Sequence, residues 1–118
     1  MTDPKIVVLS GSTRFREEFE RQAERLTLEG VIVLMPHVWV RSDPAYADIS
    51  DDAKYNLDEL HLCKIDLADE LLVINVGGYY GASTRKEIEY ATRTGTPVVY
   101  LEDAGWAGGT STREIFYE

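Results

Sequence analysis

The amino-acid sequence predicts an α/β domain built on a small doubly wound parallel sheet, with strand order 2-1-3-4 and helices on both faces. Three observations carry this reading. Short aliphatic runs alternate along the chain with segments whose apolar residues recur at helical spacing, the pattern of strand-helix units joined by right-handed crossovers. The runs Ile6-Val7-Val8-Leu9 and Leu71-Leu72-Val73-Ile74 are unbroken in apolar character, as strands buried on both faces are. Each of these two runs ends in a glycine-containing turn that leads into a helix.

The elements follow in order. Residues 5–9 read as a strand bounded by Pro4 and by Ser10-Gly11. Over residues 14–29 Phe15, Phe19, Ala23 and Leu26 form a helical stripe among charges, and Gly30 stops it. Residues 31–35 read as a second strand closed by Pro36. A long polar stretch through Trp39, Asp43-Pro44 and Ser50-Asp51-Asp52 follows, and a connection of that length is functional or partly helical. Residues 53–68 read as a helix with Leu57, Leu60, Ile65 and Ala68 as its apolar stripe. Residues 71–76 form the third strand, 84–94 a helix stopped by Gly95, and 97–101 the fourth strand. A short helix is expected over 111–117.

The chain of 118 residues forms one domain, large enough for a core without disulfide or metal staples. Twelve basic against twenty-one acidic side chains give a net charge of −9, which repels a phosphate backbone and argues against binding a nucleic-acid polymer. Phosphate on a small molecule must then be met locally, by backbone amides and one or two cations. The N-terminal residues form no secretory leader, and no segment has the roughly 20 apolar residues of a membrane span, so a cytoplasmic protein without a membrane partner is expected. Cys63, the single cysteine, reads as a small buried helix residue. Two histidines and one cysteine offer no zinc spacing, and no metal or cofactor is expected.

Order 2-1-3-4 reverses the winding between the first and third strands, and a ligand crevice opens at their carboxyl ends. Two turns fall there. Gly11-Ser12-Thr13-Arg14 joins strand to helix, where amides, hydroxyls and the Arg14 fork suit an anion; alternatively Ser12 or Thr13 only caps the helix. The second turn, residues 77–83, leads to Glu87. Thr84-Arg85-Lys86-Glu87 fits a capping box in which the carboxylate returns to the Thr84 N–H. The competing reading makes Glu87 a nucleophile, held ionised in the first helical turn at the crevice. Glu89 points to the other side of that helix. On the preceding helix, Asp58 lies one turn before His61 and could orient its imidazole toward the crevice; otherwise both belong to a solvated face.

The order Gly11-Ser12-Thr13-Arg14, Leu34-Met35-Pro36-His37-Val38, Ala68-Asp69, Glu87-Ile88-Glu89-Tyr90-Ala91 and Gly95-Thr96-Pro97 resembles the nucleoside 2-deoxyribosyltransferase-like superfamily, of flavodoxin- or Rossmann-like fold, over residues 5–101. Its Gly-Ser-x-Arg turn is closest to the nucleoside 5′-monophosphate N-glycosidases, where this loop holds the 5′-phosphate. The resemblance implies that Glu87 attacks the anomeric carbon and that Ser83 contributes donors to the phosphate. There are two departures. The sugar-orienting aspartate of the family is replaced by His61, with Asp58 and Asp66 as substitutes, and Gly81 stands where transferases often carry an acid. Both weigh against base exchange on free nucleosides and favour phosphate-bearing substrates.

The expected site therefore comprises Glu87, His61 and Asp58 as catalytic residues and Gly11, Ser12, Thr13, Arg14, His37, Gly78, Ser83 and Thr84 as substrate-binding residues. The expected activity is cleavage of the N-glycosidic bond of a nucleotide or nucleoside. The alternative is a nucleotide sensor that uses the same crevice without turnover. Trp106, Phe116 and Tyr117 in the tail over 102–118 have no long element to bury them, so the tail is expected to pack at a homo-oligomer interface, with Ser111-Thr112-Arg113 reaching a neighbouring site.

Overall fold

The computed structural model describes residues 3–40 and 42–102. Four parallel strands, β1 (Ile6–Gly11), β2 (Ile32–Leu34), β3 (Glu70–Ile74) and β4 (Val98–Tyr100), form a sheet of order β2-β1-β3-β4. Three helices connect them: α1 (Arg16–Leu28), α2 (Asp51–Leu67) and α3 (Ala82–Thr94). The predicted topology is the observed one.

Alternation along the two central strands divides the core. Val7 and Leu9 of β1 and Leu72 and Ile74 of β3 face α1, where they pack with Phe19, Leu26 and Trp39. Val8, Leu71 and Val73 face the opposite way, against Ile65 of α2, Ala91 of α3 and Tyr80. Both faces of β1 and β3 are thus covered, which is why their sequences are continuously apolar. β2 and β4 are edge strands, and Ile32 and Val99 are exposed on them.

The connection between β2 and α2 is partly helical and is anchored to α1. Trp39 is buried, with its ring 5.1 Å edge-on from Phe19, and the Arg16 guanidinium lies over the Trp39 ring at 5.1 Å. A 3-10 turn at Pro44–Tyr46 is capped by Asp43, whose carboxylate accepts from the Ala45 N–H at 2.9 Å. Ser50 caps α2 by accepting from the Ala53 N–H at 3.1 Å, so that helix starts two residues before the periodicity places it.

The end of β3 departs from expectation. The strand stops at Ile74 and Val76–Gly78 forms a 3-10 turn with positive φ at Gly77 and Gly78. The reason is Asn75, fully buried, whose side chain replaces the ladder: its Oδ1 accepts from the Glu102 N–H at 2.9 Å and its Nδ2 donates to the Glu102 carbonyl at 3.3 Å. At the opposite end of the sheet Asp69 closes β1, donating its N–H to the Ile6 carbonyl at 2.7 Å and accepting the Ile6 N–H at 2.8 Å. The Ala68-Asp69 pair is therefore remote from the carboxyl ends of the strands.

Two expectations for α2 are corrected. Cys63 is exposed, not buried, and Leu60, assigned to the apolar stripe, is exposed as well. His61 and Ile65 are the residues that α2 buries; they lie four apart on one face, and Cys63, two positions from each, is turned about 200° away from both. Residues 103–118 of the tail, with Trp106, Phe116, Tyr117, the Ser111-Thr112-Arg113 segment and the helix expected over 111–117, lie outside the described residues.

Candidate functional site

A cavity of about 850 Å³ opens at the carboxyl ends of β1 and β3, where the winding of the sheet reverses. Its volume falls within the range typical of small-molecule sites. Four segments wall it: the β1-α1 loop from Gly11 to Arg14, the stretch after β2 with Pro36, His37 and Val38, one face of α2, and the turn and first two turns of α3 from Tyr79 to Glu87.

In the β1-α1 loop Ser12 caps a 3-10 turn at Thr13–Phe15, its Oγ accepting from the Arg14 N–H at 3.3 Å. The capping reading of Ser12 therefore holds for this short turn, while α1 itself begins at Arg16 without a side-chain cap. Gly11 is required by packing: a Cβ there would lie 2.7 Å from the Ile74 carbonyl oxygen and 3.0 Å from the Ile74 Cβ. The loop thus passes close against the end of β3, which brings the two turns together. Arg14 spans them, with its guanidinium 4.4 Å from the centroid of the Tyr79 ring and Nη2 donating to the Tyr79 hydroxyl at 3.5 Å. Stacked in this way, the fork keeps donors available at the cavity.

α3 starts at Ala82, with Gly81 as its cap and no side-chain cap bond. Ala82, Ser83 and Thr84 all line the cavity, and the first amides of any α-helix lack intrahelical acceptors. That end of the cavity is accordingly suited to an anion. The early start overturns the capping box. Thr84 is the third helical residue rather than the cap, so Glu87 lies in the second turn and its carboxylate is not placed by the box or by the first-turn dipole. It faces the cavity instead, its side chain 20% exposed, with Oε1 3.7 Å from His61 Nε2.

His61 is the buried centre of the α2 face, 7% exposed. Its Nε2 is 2.9 Å from Ser10 Oγ. Among the described residues Ser10, not Asp58, is its hydrogen-bond partner, so the expected Asp58-His61 pairing is replaced; Asp58 lines the cavity from an exposed position. Burial, with a smaller contribution from the Lys64 charge, pulls the His61 pKa from 6.5 to about 4. The imidazole is neutral near pH 7, and its contact with Glu87 is dipolar rather than an ion pair. Lys64 donates to the Met35 carbonyl at 2.8 Å, tying α2 to the end of β2, and burial lowers its pKa.

Of the expected site residues, Glu87, His61, Asp58, Gly11, Ser12, Thr13, Arg14, His37, Ser83 and Thr84 converge on this cavity; Gly78 does not line it and serves the turn after β3. Glu89 points away and pairs with Arg85 at 3.8 Å on the surface. Sequence reasoning did not single out Lys54, and it placed Ser10 and Tyr79 in the crevice turns and Lys64 on the helix of His61 without giving them a role. Ser10 carried a signal: a polar residue ends the apolar run of β1, directly before the turn. Among the described residues no cluster of three or more His, Cys, Asp or Glu side chains is arranged to hold a metal ion, and no helix is long and apolar enough to cross a membrane.

Fold and cavity together define a small α/β domain with a ligand-sized site at its switch point. The chain matches no protein-family model, and no curated protein or solved structure is significantly similar to it.

Proposed function

We propose that this domain cleaves the N-glycosidic bond of a nucleotide or nucleoside, most favourably a nucleoside 5′-monophosphate, with Glu87 as the nucleophile. The observation that carries the reading is the position of the Glu87 carboxylate, half-buried on the wall of a cavity that is also lined by the α3 N-terminus, one helical turn before it, and by Arg14. The resemblance of its motifs to nucleoside 2-deoxyribosyltransferase-like proteins supports the same assignment.

In this mechanism the 5′-phosphate occupies the end formed by Gly11 to Arg14 and Ser83, and the anomeric carbon lies at Glu87. A Glu87 oxygen bonds to C1′ as the C1′–N bond breaks through an oxocarbenium-like transition state. The electron pair of that bond leaves with the base, which takes a proton from solvent. Water, or a second base in a transferase, then attacks C1′, freeing the carboxylate and releasing one proton. The test is a chromatographic base-release assay across ribo- and deoxynucleoside monophosphates and free nucleosides. Glu87→Gln is expected to lower release by roughly a thousandfold or more with the fold unchanged. Full turnover by that variant would refute the mechanism.

A second reading has its own observation. The neutral, hydrogen-bonded His61 beside Glu87 is also what a non-catalytic nucleotide sensor would carry. Nucleotide that stays bound and intact through prolonged incubation favours the sensor. Self-association belongs to the same proposal, and a monomer mass in light scattering at working concentration would refute it.

A further inference from the structure

The His61 imidazole and the Glu87 carboxylate face each other at the cavity wall. At 3.7 Å their separation is too long for a hydrogen bond and short enough for one oxygen atom, set to the cavity side, to reach both groups. Nε2 also meets Ser10 Oγ at 2.9 Å. Beside a carboxylate, the favoured tautomer of a neutral imidazole carries its proton on Nε2, because a nitrogen lone pair there would face negative charge. On that tautomer the single Nε2–H points to Ser10 Oγ, which holds the ring in place, with the Glu87 carboxylate next to it, so an acceptor set in the gap would share that proton with Ser10.

We propose that His61, positioned by Ser10, reads the hydroxyl on the sugar carbon adjacent to the attacked carbon, so that the site prefers ribose over 2-deoxyribose. This rests on the assignment of Glu87 as nucleophile. Attack by a carboxylate at C1′ brings the 2′-substituent alongside the attacking group, where hydrogen bonds to that hydroxyl strengthen in the transition state. A 2′-hydroxyl in the gap shares the Nε2–H with Ser10 Oγ in a three-centre bond and donates to the Glu87 carboxylate. A 2′-methylene makes neither bond and sets a C–H group against the buried imidazole and the half-buried carboxylate. Sites built to bond a hydroxyl reject the analogue that lacks it; here the loss is moderated because Ser10 still occupies Nε2.

Two measurements test it. Calorimetric titration of the wild-type protein with ribose 5-phosphate and 2-deoxyribose 5-phosphate needs no turnover, and a roughly tenfold or greater preference for the ribose compound is expected. The second compares ribo to deoxyribo kcat/KM ratios for matched nucleoside monophosphates between wild type and His61 variants, which cancels the intrinsic lability of deoxyribosides. His61→Leu is expected to lower the ratio by roughly tenfold, while His61→Gln, which keeps a donor near the Nε2 position, retains most of it. Equal binding of the two sugar phosphates overturns the proposal, as does an unchanged ratio in His61→Leu. If Glu87→Gln stays active while the sugar phosphates are discriminated, the nucleophile assignment fails and the sugar preference survives.

Discussion

Replacing His61 by Gln should remove a large part of the acid sensitivity of this domain. In the folded protein burial holds the His61 pKa at about 4, against an ordinary value of 6.5. The unfolded chain therefore takes up a proton as pH falls through 6.5, and the folded chain does not until pH approaches 4. The stability associated with a neutral His61 is complete above pH 6.5 and is lost progressively between there and about pH 4. At about 1.4 kcal/mol per pKa unit, the full loss is about 3 kcal/mol. That is a substantial share of the roughly 5–15 kcal/mol that stabilises a domain. The groups around the ring are Ser10 from β1, Glu87 from α3 and Lys64 from its own helix. Gln keeps a polar partner for Ser10 and does not titrate. Urea denaturation of both proteins at half-unit steps from pH 7 to 4 should give stabilities that diverge below pH 6.5, with wild type falling more steeply by up to about 3 kcal/mol. Parallel curves over that window would refute the reasoning, because they would mean that His61 titrates alike in both states.

Three further outcomes are expected. Gly11→Ala drives a methyl group to 2.7 Å from the Ile74 carbonyl, so the loop must shift; a loss of about 1–3 kcal/mol in urea denaturation is expected, and an unchanged midpoint would contradict the close approach. Asn75→Ala removes both bonds to the Glu102 backbone at a cost of about 1–3 kcal/mol, and amide exchange should accelerate at Glu102 and Leu101 before β4 itself. Arg14→Ala should weaken binding of inorganic phosphate or a nucleoside monophosphate by roughly tenfold while leaving free-nucleoside binding unchanged; equal weakening of both would place the phosphate elsewhere.

The carboxyl-end crevice and its two turns were legible because their signals are local. Ser10-Gly11 directly after an apolar strand run marks the end of β1, and the unbroken run of Val7, Val8 and Leu9 already implies burial on both sides of the sheet. Helix starts were less legible. Thr84 with Glu87 fits a capping box in sequence, yet Gly81 caps α3, because the turn from Val76 to Gly81 delivers the chain into helical geometry three residues earlier. That shift moves Glu87 from the first turn to the second. Cys63 and Leu60 were misplaced because α2 has only a narrow buried face, and His61 takes a place there that an apolar pattern would not assign to it.

The sequence by itself determined the order of strands and helices and the switch point between the two glycine-containing turns, since these follow from periodicity and turn chemistry within a few residues. The partner of His61 was decided by tertiary structure alone. Ser10 and His61 are 51 residues apart, and no local pattern joins them. They meet because α2 packs across β1 on the face shared with Val8 and Ile65, burying the imidazole against the end of the central strand. The same burial keeps that imidazole neutral and leaves its Nε2 3.7 Å from Glu87.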